Sequence, residues 1–397
     1  MPVSLIPTLF RSLVYTVIPI LLVLGCEKVS KDPEMLRGYP LDTTTPGQIS
    51  LNAGTPFPPI LTGGSGGRVI LVWHEDLGKV RQLRAAELRE NHWVDLAKPI
   101  EIGHTGSVVA AEYLNNTLHV IYLKRMENRD HTRRPFYTTL EGNQWKPPQP
   151  AYKGPASTYQ LRLATDSSGT IHMIWTAAIE HNGAVLYRTI KNGAFGPVQE
   201  IAIPGNQATY WQPSLIISEN RLHLANEKLK KTGSEIQYRT KPLQGGEWSP
   251  PVSVSNGFTY ALKPRFVASA KGQHQIVWLE GTRSESMIIS RFENGKWQTR
   301  QQLQPRERKP SGLSVAIDGK NRAHLGWFEE DPDQSTRLYM LSGGEQGWAE
   351  PISLTSPDER GYGLTVQADG KRLILVWVGG LKSGEPGLYW KSFPLID

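Results

Sequence analysis

The sequence predicts an all-β chain folded as a seven-bladed β-propeller, with four-stranded blades and an N-terminal strand that closes the last blade. Three observations predict it. An apolar run ending in an aromatic residue recurs about every fifty residues, a turn followed by an aromatic residue recurs in step with it, and the last unit is one strand short. Repeats of this length, each containing several short alternating segments, are typical of propeller blades.

The first marker is the apolar run, exemplified by His172-Met173-Ile174-Trp175. Successive copies are 49 to 53 residues apart and end at Trp73, Tyr122, Trp175, Asn226, Trp278, Trp327 and Trp377. Seven copies predict seven blades. The histidines three residues before four of these ends, at 119, 172, 223 and 324, are predicted to be blade-packing residues because they keep the repeat register.

The second marker is an aromatic residue after a polar turn. Its copies are also 49 to 53 residues apart, at Trp93, Trp145, Phe195, Trp248, Trp297 and Trp348. Each unit has in addition a Gly or Asn six or seven residues before the first marker, at Gly67, Asn116, Gly169, Asn220, Gly272, Asn321 and Gly370. Gly and Asn tolerate the positive φ of tight hairpins, so these positions are predicted to be turns between strands.

The two ends of the repeat region complement each other. The last unit has segments for three strands only, the third covering 387–393, whereas residues 48–52 resemble the outer strand of other units, such as 351–355. The N-terminal strand is therefore predicted to complete the last blade, within a single propeller domain of residues 48–397. Such closure removes unpaired strand edges.

The residues before the propeller indicate export. Residues 12–25 form a mostly apolar run too short for a comfortable membrane span, which predicts a signal peptide over residues 1–25. It ends in Val23-Leu24-Gly25-Cys26, which resembles the lipobox of bacterial lipoproteins and implies lipidation of Cys26. Residues 26–47 are predicted to be the lipidated cysteine and a flexible tether. The resemblance implies a bacterial cell-envelope protein held in the membrane by its lipid, and Glu27 favours the outer membrane.

Composition excludes several classes of function. The chain has 397 residues with a single cysteine, which rules out a disulfide framework and a cysteine-built zinc site. We find no His/Asp metal spacing, no glycine-rich phosphate loop and no nucleophile elbow, so no cofactor is predicted. The formal net charge of +7 favours anionic partners such as lipid headgroups or acidic glycans. Nucleic acid is not expected as a partner outside the cell.

The repeat motif of Gly, His, two apolar residues and Trp, followed by turns such as Asn143-Gln144-Trp145 and Gly246-Glu247-Trp248, resembles the sialidase-like (BNR-type) propeller superfamily over residues 48–396. The resemblance implies the propeller fold and carbohydrate chemistry. Sialidases open their first blade with Tyr-Arg-Ile-Pro, and its arginine grips the substrate carboxylate. This chain has Phe57-Pro58-Pro59-Ile60 at the corresponding position, so that arginine is absent.

Candidate ligand-binding aromatic residues recur before the inner strands. Tyr159, Tyr210 and Tyr260 follow threonines at spacings of 51 and 50 residues, and Tyr362 lies in the last unit. They are predicted to be on the propeller face that carries the outer-to-inner connections, where they serve either as loop closures or as an aromatic floor for a sugar ring or peptide. Trp211 lies outside the repeat pattern.

The fourth unit breaks the pattern twice, because Asn226 replaces the aromatic marker and Trp211 is added. Such departures indicate function or drift. The functional reading predicts that Asn226 and Glu227 hydrogen-bond a ligand that stacks on Trp211 and Tyr210, while Arg162 or Arg265 holds its anionic group.

Basic runs on the same face, at 124–134 and 306–309, are either solvated surface or part of this anion site.

The sequence thus predicts a membrane-tethered propeller that binds an anionic glycan or an envelope protein. The alternative is a carbohydrate-active enzyme. A glycoside hydrolase would need two carboxylates at a defined separation, and the rim candidates are Glu75, Glu180, Glu227, Glu280, Glu329 and Glu330. A polysaccharide lyase would need a base and an arginine, and the candidate bases are the tyrosines together with His104, His131 and His181. A purely structural role in envelope assembly is the third possibility.

Overall fold

The structure is a computed structural model, and it describes residues 47–49, 54–64, 67–127, 132–205, 208–255, 260–267, 274–282, 286–305, 310–330, 336–344, 347–355, 359–381 and 386–395. All regular secondary structure in these ranges is β-strand, arranged in seven antiparallel sheets. The predicted all-β, seven-bladed propeller is confirmed. The predicted signal peptide, Cys26 and most of the tether lie outside the described residues. Within the described ranges, no helix is long and apolar enough to cross a membrane.

The chain begins with a short strand, β1, and then builds the blades in order. The strands of the first three blades have the following bounds. Blade one contains β2 (Thr55–Pro56), β3 (Ile60–Gly64), β4 (Arg68–Asp76), β5 (Arg81–Arg89), β6 (His92–Asp95) and β7 (Ile100–Glu101). Blade two contains β8 (Ser107–Leu114), β9 (Thr117–Arg125), β10 (Arg133–Glu141), β11 (Gln144–Trp145) and β12 (Gln149–Pro150). Blade three contains β13 (Ser157–Thr165), β14 (Ile171–Ile179), β15 (Asn182–Lys191), β16 (Ala194–Phe195) and β17 (Gln199–Ala202).

The remaining blades repeat this arrangement. Blade four contains β18 (Thr209–Ser218), β19 (Arg221–Lys230), β20 (Gly233–Pro242) and β21 (Val252–Ser253). Blade five contains β22 (Ala261–Val267), β23 (Gln275–Glu280), β24 (Ser286–Glu293), β25 (Lys296–Trp297) and β26 (Gln301–Pro305). Blade six contains β27 (Pro310–Ile317), β28 (Ala323–Glu330), β29 (Thr336–Gly344), β30 (Gly347–Trp348) and β31 (Ile352–Ser353). Blade seven contains β32 (Glu359–Ala368), β33 (Arg372–Leu381), β34 (Gly387–Pro394) and β1 (Gly47–Ile49).

Each blade runs outward from an inner strand through a second and a third strand to an outer strand. The inner strands β3, β8, β13, β18, β22, β27 and β32 each contact the inner strand of the next blade, and β32 contacts β3, which closes a ring around a central channel. The outer strand is broken into two short pieces in five of the seven blades as described, namely one, two, three, five and six. The predicted four-stranded blade is therefore present, with an interrupted fourth strand.

The last blade is completed by the N-terminal strand, as predicted. β1 pairs antiparallel with β34 in the register Gly47 with Trp390, Gln48 with Tyr389 and Ile49 with Leu388. Ile49 is buried in a cluster that includes Trp73 of blade one and Leu388 of blade seven. This pairing joins the two ends of the ring.

The marker aromatic residues form the core between the blades. Trp73, Trp175, Trp278 and Trp327 are almost completely buried. Each packs against the preceding blade, as Trp278 of blade five does against Ala225 and Ile236 of blade four. Burying a large apolar side chain contributes roughly 1.5–3 kcal/mol. The repeat spacing read from the sequence is therefore the spacing of the inter-blade contacts.

The predicted turn residues and histidines also have the expected structural roles. The turn positions within the described ranges have φ between 55° and 90°, namely Gly67, Asn116, Gly169, Asn220, Asn321 and Gly370, while Gly272 lies outside those ranges. His119, His172 and His223 each hydrogen-bond, at 2.7 Å, the hydroxyl of a tyrosine on the adjacent strand. In blades three and six an aspartate of the turn, Asp166 or Asp318, accepts hydrogen bonds from two backbone N–H groups of that turn. The same carboxylate also hydrogen-bonds the histidine of its blade, at position 172 or 324.

Candidate functional site

The strand order assigns each loop to one of two faces. The outer-to-inner connections and the turns between second and third strands lie at one end of every blade, and the turns between first and second strands lie at the other end. We call the first end the mouth face. It carries the ends of the inner strands at which Tyr159, Trp211, Tyr260 and Tyr362 are found.

A β-bulge interrupts the inner strand just below this face in five consecutive blades. The bulge residue has positive φ in each case, at Gln160, Gln212, Lys263, Gly312 and Gly363. Glycine adopts this conformation readily, whereas other residues are strained in it by roughly 1–2 kcal/mol. Blades three to five therefore have a non-glycine residue with a strained backbone at the position where blades six and seven have glycine. Strain of this kind clusters at functional sites.

The bulge register shows which aromatic residues are equivalent. Tyr159 pairs with Thr176, and Trp211 pairs with Glu227, each one residue beyond the marker position of its blade. Tyr159 is therefore equivalent to Trp211 and not to Tyr210. The two rings are neighbours, with centroids 5.8 Å apart at a tilt of 59°. The Trp211 indole also lies directly against Gly183, where any Cβ would approach it within 2.7 Å.

Two arginines lie in the channel beneath these rings. Arg162 and Arg265 are the third residues after Tyr159 and Leu262, in blades three and five. Each donates from Nη1 to the backbone carbonyl of its preceding residue, at 2.8 and 2.9 Å. Burial and the charge of Arg162 lower the pKa of Arg265 to about 9. Among the described residues, neither guanidinium has a carboxylate within ion-pair distance, and Glu227 is the one carboxyl group whose charge acts on Arg265, so the pair carries an excess of positive charge.

Glu227 lies beside this pair. Its side chain is 4% exposed, and its carboxylate accepts the backbone N–H of the bulge residue Lys263. Burial raises the pKa of Glu227 to about 7, although the Lys263 amide and the charge of Arg265 favour the ionised form. A carboxyl group with this pKa can exchange a proton near neutrality. We refer to Tyr159, Trp211, Arg162, Arg265 and Glu227 together as the mouth cluster.

The structure places Asn226 away from the channel. It is fully buried between blades three and four, where its amide donates to the carbonyl of Glu227 and accepts from Arg239 at 3.5 Å. Tyr210 packs into the apolar cluster of the same interface. The structure therefore does not bring Asn226 and Tyr210 to the stacking surface of Trp211, whose partner is Tyr159.

The other two candidate tyrosines are exposed on the mouth face. Tyr260 is 39% exposed and Tyr362 is 49% exposed. Tyr362 is the equivalent of Tyr159 in blade seven, because it precedes the bulge at Gly363. Neither has a ring contact with the mouth cluster among the described residues.

Three of the rim carboxylates proposed for hydrolysis are held by structural contacts. Trp73, Trp278 and Trp327 donate their indole N–H to the glutamate two residues later, at 2.9, 3.2 and 2.9 Å. These acceptors are Glu75, Glu280 and Glu329, all buried. Glu75 also pairs with Arg84 at 2.8 Å, and Glu280 pairs with Arg300. The recurring Trp-x-Glu spacing was present in the sequence and identifies these carboxylates as packing residues.

The bulge residues and Gly183 are the positions of the candidate site that the sequence did not reveal. Gln160, Gln212 and Lys263 have no distinctive residue type, and only the strand register shows that they share one position. For Gly183 the only sequence signal was its place just after a two-residue hairpin turn, which follows Ile179. That place does not indicate that an indole packs on it.

Other concavities lie away from the mouth cluster. A cavity of about 440 Å³ lies at the opposite end of the channel, lined among others by Thr62, Arg68 and Glu112. Another, of about 410 Å³, lies between blades two and three near His119. Among the described residues, no group of three or more His, Cys, Asp or Glu side chains could hold a metal ion.

Comparisons with known proteins give structural relatives only. No protein-family model matches the sequence, and neither does any curated protein. An ulvan lyase of a new polysaccharide lyase family, PL25, solved with a saccharide of GlcA and Rha3S units, superposes with a TM-score of 0.65 at 10% identity, over 88% of this chain and 96% of that one. The polysaccharide lyase Uly1 gives 0.59 at 10% identity, over 93% and 96%.

A glycoside hydrolase is also similar. The α-L-arabinofuranosidase arb93a from Fusarium graminearum has a TM-score of 0.50 at 11% identity, over 88% of this chain and 97% of that one. At such identities these likenesses establish the fold alone. The resemblance to carbohydrate-active propellers that the repeat motifs indicated is confirmed at that level.

Proposed function

We propose that the chain is a carbohydrate-active protein that binds an acidic polysaccharide at the mouth cluster and cleaves it by β-elimination. The observation that carries the proposal is the pair of channel guanidiniums, Arg162 and Arg265, which form no ion pair among the described residues and have one carboxyl group, Glu227, acting electrostatically on Arg265. A guanidinium binds a carboxylate or a sulfate through paired hydrogen bonds. The single negative charge of a uronate or a sulfated sugar placed there would be shared by both guanidiniums while its ring lies near Trp211.

The chemistry of elimination suits these groups better than hydrolysis. Elimination breaks the bond between C4 and the glycosidic oxygen after a base removes the proton at C5, leaving a C4–C5 double bond and a protonated leaving oxygen. Arginines that neutralise the uronate carboxylate make that C5 proton easier to remove. Glycoside hydrolysis needs two carboxyl groups flanking the bond. Glu227 is the only carboxyl group in the mouth cluster, and three of the rim alternatives are held by tryptophans.

Known relatives support the same class of ligand. The ulvan lyase was solved with a saccharide of GlcA and Rha3S units, which contains a uronic acid and a sulfated sugar. Uly1 is also a polysaccharide lyase. Both propellers cover nearly the whole of this chain, so an acidic polysaccharide is the ligand class to test first.

The decisive experiment incubates the purified chain with ulvan, polygalacturonate, alginate and heparin. Elimination would produce the ultraviolet absorbance of an unsaturated uronate, and the double variant Arg162→Gln/Arg265→Gln would lose it. A control that removes two exposed lysines from the opposite face, Lys191→Gln/Lys371→Gln, should retain it. New reducing ends without that absorbance would instead establish hydrolysis, and binding without any product would establish a binding module.

Trp211→Ala tests the aromatic part of the site. The half-buried side chain packs on Gly183 and Tyr159 of blade three at the mouth face, outside the buried apolar cluster of that interface, so its removal should abolish polysaccharide binding at a modest cost in stability. Unfolding of this variant, or normal binding by it, would contradict the assignment.

We also propose that the protein is anchored at the bacterial cell envelope through lipidated Cys26, because a lipobox-like segment follows an apolar run. Acyl chains add about 0.8 kcal/mol for each buried methylene, so several chains anchor a protein stably. Cys26→Ser should move the protein from the membrane fraction to the soluble envelope fraction. Unchanged membrane retention of the variant would refute the anchor.

A further inference from the structure

We infer that the mouth cluster is one end of a polymer-binding path and that its other end is a second anion subsite at the tip of blade two. The ligand is then an acidic polysaccharide with charges on more than one sugar, bound across blades two to five. This inference deepens the function proposed above and rests on it.

The tip of blade two has an unusual arrangement of charge. At the end of the β9–β10 hairpin, Arg125 lies directly opposite Arg133, and Lys124 lies directly opposite Arg134. Like charges that face each other across two strands destabilise a hairpin. Within the described part of the chain, none of these four cations forms an ion pair with a carboxylate. Because successive residues of a strand point to opposite faces, the pair of Arg125 and Arg133 shares one face of the hairpin, and this pair is left for an external anion to compensate.

This hairpin tip is fixed against blade three. Arg134 donates from Nη1 to the carbonyl of Gly154 at 2.8 Å, and the backbone N–H of Arg133 donates to Ser157 Oγ at 3.2 Å. The positions of Arg133 and Arg134 are thus set by contacts outside their own hairpin. A fixed cationic group loses less conformational entropy on binding than a freely moving one.

A continuous series of contacts joins the tip to the channel mouth. The Arg133 guanidinium lies over the Tyr159 ring, 5.5 Å from its centroid, and Tyr159 in turn contacts Trp211. Arg162 lies three residues beyond Tyr159 in the inner strand of blade three and Arg265 at the equivalent position of blade five, so the two arginines lie on either side of the blade that carries Trp211. Cations therefore lie at both ends of the pair of aromatic rings. A polysaccharide would match this order if sugar faces stacked on the rings and anionic groups on separate sugars bound the cations at the two ends.

The path requires a chain rather than a single sugar. One sugar ring stacked on Trp211 can place its own anionic group toward the channel arginines, whereas the Arg133 end lies beyond Tyr159, in another blade. Only a further unit of the same polymer can reach it. The arginines of the tip should consequently add affinity for long ligands and none for a monosaccharide.

The experiment compares the polymer with its monomer. Binding of ulvan and of free glucuronate would be measured by calorimetry for the wild type, Arg125→Gln/Arg133→Gln, Arg162→Gln/Arg265→Gln and the control Lys191→Gln/Lys371→Gln. We expect the tip variant to lose about tenfold or more in affinity for ulvan, with a shallower dependence on salt, and to bind glucuronate as the wild type does. The channel variant should lose both ligands, and the control should lose neither.

The outcomes separate the two proposals. If ulvan binds the tip variant as tightly as the wild type, the second subsite is wrong while the proposed function stands. If the wild type binds no acidic saccharide, both are wrong. Preferential binding of the tip to vesicles of anionic phospholipid, with no effect of its variant on ulvan, would identify a membrane contact and also overturn the inference. Circular dichroism of each variant would show that the fold is kept.

Discussion

Arg162 and Arg265 come from blades three and five, yet they are close enough that the charge of one helps to lower the pKa of the other. The intervening blade contributes Ser214 at the equivalent position, and its hydroxyl accepts the backbone N–H of Phe266 instead of pairing with either arginine. Ser314 and Thr365 make the same contact with the next blade. Two blades have thus replaced a stabilising contact between blades by a charge in the channel.

The first prediction follows from this exchange. Arg162→Gln should raise the free energy of unfolding by about 1 kcal/mol, because it removes a buried charge and its repulsion of Arg265. The same variant should lose affinity for acidic polysaccharide. Urea unfolding beside a binding titration measures both effects. A less stable variant would show that the arginine supports the fold, which would count against a binding role.

The second prediction concerns pH and Glu227. Because burial raises its pKa from 4.5 to about 7, the folded state holds a proton that the unfolded state releases. Stability is therefore fully present below about pH 4.5, falls as the pH rises to about 7 and changes no further above it. The full loss amounts to roughly 3 kcal/mol at about 1.36 kcal/mol per pKa unit.

Glu227→Gln should abolish that slope. Its advantage in stability over the wild type should grow from pH 5 to pH 8, as measured by urea unfolding at each pH. Burial also raises the pKa of Glu112 to about 7, in the same direction, so the difference between the two proteins is the informative quantity. An equal difference at both pH values would contradict the buried, titrating carboxyl group.

The third prediction tests ring closure. Ile49 is 4% exposed and packs in the cluster between blades seven and one, so Ile49→Ala should cost about 2–4 kcal/mol. Gln48→Ala, on the exposed side of the same strand, serves as the control and should be nearly neutral. Deletion of the strand should lower the melting temperature severely, whereas deletion of the predicted tether at 27–45 should not. Equal effects of the two deletions would be incompatible with closure by β1.

The fourth prediction concerns the substituted marker of blade four. The sequence suggests that Asn226→Trp would stabilise the fold by restoring the repeat, but Asn226 is fully buried and Tyr210 packs into the same interface. In blade three the corresponding residues are Thr158 and Trp175. The single variant should therefore overpack the interface and destabilise by about 1–3 kcal/mol. Asn226→Trp combined with Tyr210→Thr should recover most of that loss, and thermal unfolding of both variants measures it.

Most of the fold could be predicted because it depends on repeated packing. The marker tryptophans, such as Trp73 and Trp377, recur once per blade because each fills the same gap against the preceding blade. The closing strand was predictable because residues 48–52 look like any other outer strand while the last unit lacks one. Repetition makes each blade evidence for the others.

The site was less predictable because it depends on departures from the repeat. Threonine–tyrosine pairs aligned Tyr159 with Tyr210, but strand register aligns it with Trp211, one residue later. That offset places Trp211 beside Tyr159 near the mouth face and Tyr210 in the apolar cluster between blades three and four. The glutamates held by an indole, such as Glu280, could in contrast have been recognised from the recurring Trp-x-Glu spacing.

The broken outer strands affect how these molecules meet one another. An unbroken edge strand can pair with the edge of another chain, and seven blades would provide seven such edges. Here most outer pieces are two residues long, and prolines such as Pro150 and Pro305 lie within them. Such an edge offers a foreign strand very few successive backbone hydrogen bonds before the ladder ends. The propeller can therefore be crowded at a surface at high local concentration without its blades joining into extended sheets.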